Sequence, residues 1–173
     1  GEATADGHHG GEGEALQRVD RIERREGAAR GDGETGEESW RNPGLSIIWL
    51  IRGLVHGKKG SEFYDAKKGI EAYSNYLFYD SDKPSPYTNR GVLHQSLYLE
   101  LRTAPDKESK EAAERHLDAA IADYTRALAV EPRYKLALQH RGYALFQYKK
   151  QPDAALVAPE KGISLDPNYT PAI

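Results

Sequence analysis

The dipeptide Arg-Gly stands near the middle of three helical segments, "WLIRGLV", "YTNRGVL" and "LQHRGYA", with its glycines at Gly53, Gly91 and Gly142. A glycine in a helix interior costs about 1 kcal/mol relative to alanine, so propensity alone does not account for such positions. Close approach of a second helix does account for them, because a residue without a Cβ leaves room for its neighbour. Gly91 and Gly142 are therefore read as the points where paired helices come nearest.

The stretch "AIADYTRALAVEPRYKLALQHRGYAL", residues 120–145, shows how one pair gives way to the next. Ile121, Tyr124 and Leu128 recur at three- and four-residue steps, which stacks them on one helical face. Pro132 lacks a backbone donor and disfavours helical geometry at Glu131, so the helix is expected to end there. Leu136, Leu138, Leu145 and Phe146 start a second apolar series.

The same reasoning predicts a helix over 45–56, the turn "HGKKG", and a partner helix with Ser61 as its N-cap. A helix after two prolines follows, running to about Arg102, and then a long one over 106–130. The segment 96–119 is expected to lengthen both of these helices, with the tip of the hairpin near Pro105. Two further helical segments close the chain. No strand pattern occurs, so the fold class is all-α, six helices in three hairpins.

The second helices superpose as "GIEAYSNYLFYDS", "AIADYTRALAVEP" and "ALVAPEKGISLDP", with Tyr73 matching Tyr124 and Pro132 matching Pro167. This pattern resembles the tetratricopeptide repeat family, whose unit is about 34 residues long. The resemblance covers residues 45–170 and departs from the family in its longer first and second repeats and in Pro159, which replaces the tyrosine. It implies a tetratricopeptide-like α-solenoid over 44–173, preceded by an N-terminal arm over 1–43. It also implies protein binding without catalysis. The family's best-known ligand, a carboxylate tail, is held by asparagine just after the glycine. Here those places are Leu54, Val92 and Tyr143, which cannot make that clamp. Together with Phe146 they are instead apolar positions that either pack in the core or seat an apolar segment of a partner. The final hairpin carries Leu156, Val157, Ile163 and Leu165 with no further helix in the sequence to cover them. Leu156 and Ile163 are therefore further candidate contacts, since terminal repeats need a polar cap.

Residues 1–40 hold eleven acids against five arginines, a balance of −6, while the remainder carries +3. An acidic arm on a mildly basic body points to protein partners, not to nucleic acid, which calls for a strong basic patch. The arm is glycine-rich and poor in apolar residues, and alone is expected to be disordered. Within it, residues 14–26 place Leu16, Val19 and Ile22 on one face, as anchors that would fold on a partner. Leu45–Val55 is the most apolar run, about half the twenty residues a membrane span requires, and contains Arg52. Peripheral membrane association stays open.

The absence of cysteine excludes disulfides and cysteine-bound zinc. The six histidines (His8, His9, His56, His94, His116 and His140) show no ligand spacing along their own helices. No phosphate-loop, dinucleotide, zinc-protease or nucleophile motif occurs, so no cofactor, metal or catalytic residue is expected. The sequence points to an accessory subunit of a larger assembly, with a transient assembly factor or co-chaperone as the alternative. Lack of an initiating methionine fits an imported protein of a mitochondrion or plastid, with a bacterial source as the other reading.

Overall fold

The computed structural model describes residues 9–29, 43–151 and 153. Among them the chain is all-α. Its helices are α1 (His9–Ala29), α2 (Pro43–Gly57), α3 (Ala66–Tyr79), α4 (Pro84–Leu101), α5 (Lys107–Val130) and α6 (Lys135–Tyr143), and α6 runs into a π-helical turn, Ala144–Tyr148. The chain forms two compact units, Gly1–Ser81 with α1 to α3 and Asp82–Ile173 with α4 to α6. The expected sixth hairpin helix, with Leu156 and Ile163, lies outside the described residues.

Local chemistry sets the helix ends. Asp65 caps α3, its carboxylate accepting the Lys68 N–H at 3.0 Å, and that hydrogen bond lowers its pKa below the usual carboxylate value. Ser61, the expected cap, sits earlier in the turn: its hydroxyl accepts the Phe63 N–H at 3.1 Å and donates to Glu12 at 2.6 Å. The helix starts later because Gly60, at φ 90°, reverses the chain and the Asp65 N–H then bonds back to the His56 carbonyl at 3.0 Å. Pro84 opens α4 at a position that needs no backbone donor. Asp106 caps α5 by accepting the Ser109 N–H at 2.7 Å. The lengthened hairpin of the second unit is present as expected, with 18 residues in α4 and 24 in α5.

Each unit is organised by a glycine facing a tyrosine. A Cβ on Gly53 would lie 2.8 Å from the ring of Tyr73, and one on Gly91 would lie 2.6 Å from the ring of Tyr124. Both distances are shorter than real Cβ contacts, so the ring occupies the place of the missing methyl. Tyr73 and Tyr124 are 2% and 0% exposed. Tyr124 keeps its hydroxyl satisfied by donating to Gln95 at 2.9 Å, and burial pushes its ionisation well above the usual phenol range. Gly142 is buried as well.

Around Tyr124 the second unit packs Tyr98, Ala113, Leu117, Ala120 and Ala144, with Val92, Leu101, Ile121 and Tyr148 at the margin. Ala113, Ala120 and Ala127 of α5 fall seven apart and are 0–1% exposed, a strip of small side chains that lets neighbouring helices close in. The expected continuous helix after Pro132 widens instead at Ala144–Tyr148, where the Lys149 N–H reaches the Ala144 carbonyl at 3.1 Å. The widened turn sets Tyr148 against Tyr98, ring centroids 5.0 Å apart, with the Arg102 guanidinium near both rings. Lys149 then bonds Glu114 and Asp118, both at 2.9 Å.

The N-terminal segment departs from expectation. It forms a helix of 21 residues, beyond the expected 14–26, and packs on α2 of its own chain. Val19 is 1% exposed there, and Leu16 is half-buried. The Ile22 side chain lies outside the described residues. Composition argued for disorder, but an amphipathic helix needs only one complementary face, and α2 presents it.

Alanine substitution separates the packed glycines from an ordinary one by sign. Gly11, with nothing within 4 Å of the place a methyl group would take, should gain up to about 1 kcal/mol as Gly11→Ala. Gly53→Ala and Gly91→Ala should instead lose about 1–3 kcal/mol by overpacking. Urea unfolding of the three variants measures this; stabilisation at Gly53 or Gly91 would show that the ring is not in contact.

Candidate functional site

Among the described residues, α2 is the most apolar α-helix, and it presents two different faces. Ile48, Gly53 and Val55 are buried. Ile47 and Leu54, two turns apart on one side, are 60% and 52% exposed, and Leu50 and Ile51 lie half-buried between them. An apolar stripe of this kind is the face of a helix that normally packs against something.

On the other side, Trp49, Arg52 and His56 follow one another at three- and four-residue steps and line a cleft shared with α1 and α3, of volume ≈ 400 Å³. Arg52 bonds Asp20 of α1 at 3.3 Å and lies 5.2 Å from the centre of the Trp49 ring. His56 Nδ1 bonds the Phe63 carbonyl at 2.8 Å, which fixes its ring in the wall of the cleft. Lys68, Glu71 and Ala72 of α3 close the far side.

The second unit places its equivalent arginine differently. Arg90 holds Asp123 of α5 through two bonds, at 2.7 and 2.8 Å, and Asp123 is 2% exposed. This planar two-point pairing is the strong form of an arginine–carboxylate bond. Asp123 immediately precedes Tyr124, and the residue that precedes Tyr73 in the first unit is Ala72. The first unit therefore lacks the buried carboxylate on α3, and α1 brings one from outside. Arg141, the third of the series, donates to Thr125 at 3.1 Å.

The expected contact residues are divided between the two units, and each is placed by the packing of its own unit. Leu54 lies exposed on α2, and Phe146 is 52% exposed in the π-helical turn. Val92 is half-buried against the core of the second unit, and Tyr143 meets Tyr148 edge to face at 5.4 Å between ring centres. Leu16 and Val19 are engaged within the chain, at the contact of α1 with α2.

Sequence spacing missed one juxtaposition. His94 of α4 and His116 of α5 meet across the hairpin, Nδ1 to Nδ1 at 2.9 Å, so one ring donates and the other accepts. Nothing along either helix announces this; only the cross-helix register set by Gly91 and Tyr124 does. Burial is the main force lowering the pKa of His94, to about 4; the Asp123 charge opposes it, and His116 and Arg90 add to it. His140, stacked on Tyr124 at 5.5 Å, is also lowered by burial. Among the described residues no group of three or more His, Cys, Asp or Glu side chains is placed to hold a metal ion, and no helix is long and apolar enough to cross a membrane. No family model, curated protein or solved structure matches the chain.

The histidines make stability depend on pH in a definite direction. The folded value of His94 lies below the ordinary 6.5, so unfolding takes up a proton between pH 6.5 and about 4. The contribution is fully present above that window and lost as pH falls through it. The urea midpoint should be level from pH 8 to about 6.5 and decline below, and His94→Gln should make the decline shallower. An identical decline in the variant would remove His94 from the account.

Proposed function

We propose that the chain is a non-catalytic protein-binding module of tetratricopeptide-like build, acting as an accessory subunit of a larger assembly. The observation that carries this reading is the stripe of α2, where Ile47 and Leu54 stand open to solvent on the most apolar of the described α-helices. A subunit held permanently in an assembly keeps such a surface covered, whereas a free protein leaves it exposed to association. The glycine–tyrosine contacts of the two hairpins support the tetratricopeptide-like reading, because they join the positions on which the resemblance rests. The acidic balance of residues 1–40 agrees with a protein partner.

The test is purification of the chain from its native source with a photo-crosslinking residue at position 54. A stoichiometric protein partner should be captured, and Ile47→Glu with Leu54→Glu should release it while the helical circular-dichroism signal stays unchanged. A chain that purifies alone, with crosslinking at position 54 confined to itself, would contradict the reading.

A further inference from the structure

We propose that the cleft between α1, α2 and α3 is a docking site for an acidic amphipathic helix of a partner protein, and that α1 is its built-in, incompletely fitting occupant. That a helix fits the site is shown by α1, whose inward face consists of Glu12, Leu16, Val19 and Asp20, the spacing of one helical stripe. Two of its acids meet a base or a hydroxyl there: Glu12 bonds Lys58 and Ser61, and Asp20 bonds Arg52 at 3.3 Å. The site thus selects negative charge at both ends of a short apolar contact. Glu71, on the rim, sets a limit to that preference and favours a basic or neutral residue opposite it.

Three observations mark α1 as a replaceable occupant. Among its described side chains it seats one that is fully buried, Val19, with Leu16 half-buried beside it. It leaves a cavity of ≈ 400 Å³ walled by Leu16, Asp20, Trp49, Arg52, His56 and Lys68. Asp20, paired with Arg52 at 3.3 Å, has a side chain 53% exposed, whereas that of Asp123, paired with Arg90 at 2.7 Å, is 2% exposed. Exposed ion pairs of the first kind hold weakly. A helix bearing a larger apolar side chain in place of Leu16 reaches further into the cavity while keeping the carboxylate on Arg52. The basic rim of Arg52, Lys58 and Lys68 speeds the approach of such an acidic segment and makes its binding salt-dependent.

This site is independent of the apolar stripe. Leu54 and Arg52 point to nearly opposite sides of α2, about 200° apart around the helix. Leu54→Glu therefore leaves docking in the cleft unchanged, and failure of one reading does not entail failure of the other.

The experiment uses the full chain and two synthetic peptides, residues 9–29 as they stand and the same peptide with Leu16→Phe. The chain has no cysteine, so Arg18→Cys and Glu62→Cys can carry a pair of spin labels that report whether α1 is seated. The Leu16→Phe peptide should bind at least ten-fold tighter than the native-sequence peptide and should broaden the label separation as α1 leaves. Raising the salt should weaken it. Arg52→Glu in the chain should abolish binding, and a Leu16→Phe peptide that also carries Asp20→Arg should restore it. The proposal is overturned if neither peptide binds a chain whose own α1 is weakened by Asp20→Arg, or if binding persists in Arg52→Glu. It is overturned equally if the peptide binds while α1 stays seated. A dimer that exchanges α1 between copies, in preference to accepting the peptide, would assign the cleft to a second copy of the chain and overturn the commitment to a partner protein.

Discussion

Each hairpin turns on a tyrosine ring lying where a glycine has no side chain. At Gly91 the ring of Tyr124 comes so near that even a methyl group would have to displace it, and Gly53 and Tyr73 repeat the arrangement. The contact sets how close the two helices of each pair lie and how they are staggered. Several other features follow from that stagger. It brings His94 opposite His116 and Arg90 opposite Asp123, residues separated by 22 and 33 positions in the chain. The arginine beside each glycine stands at the edge of the contact and must find an acceptor there. Asp123 and Thr125 serve this purpose in the second unit, and Asp20 does so in the first.

The substitution of an external carboxylate for an internal one gives α1 its place. With Ala72 in the position that Asp123 holds in the second unit, Arg52 has room beside it and a charge to satisfy. Asp20 arrives on a separate helix, together with Val19 and Leu16, and closes only part of the space. Packing and electrostatics thus act on the same residues, because the small side chain that removes the acid also leaves the cavity. Around the other side of α2, Ile47 and Leu54 remain open. One helix therefore carries the core contact of its unit, a charged cleft and an apolar stripe.

Periodicity and proline placement made α2 and α5 legible within a residue or two, since their apolar spacing and their stops are local signals, whereas α4 takes both prolines expected to precede it into its first turn. Gly91 was legible as a point of close approach and Tyr124 as a repeat position matching Tyr73, but that the one faces the other appears only in the packing. Ser61 was misread as a cap because Ser and Asp cap equally well in isolation, and the choice of Asp65 depends on the path of the turn at Gly60. The order of α1 was illegible for a different reason: composition describes a segment alone, whereas α1 is held by Arg52, Lys58 and Ser61, more than thirty residues away. The π-helical turn escaped because no local signal marks it, and the contact it makes possible, Tyr148 on Tyr98, is with another helix. As for the four apolar positions counted from the glycines, spacing left core packing and partner contact open, and packing separates exposed Leu54 from half-buried Val92.

The central claim is the repeated glycine–tyrosine contact, and proton NMR of the intact chain tests it most directly. A glycine Cα–H lying over an aromatic ring is shifted upfield and exchanges nuclear Overhauser effects with the ring protons. Both signatures are expected at Gly53 with Tyr73 and at Gly91 with Tyr124, and neither at Gly11. Glycine resonances at ordinary helical positions, with no Overhauser effect to either tyrosine ring, would contradict it.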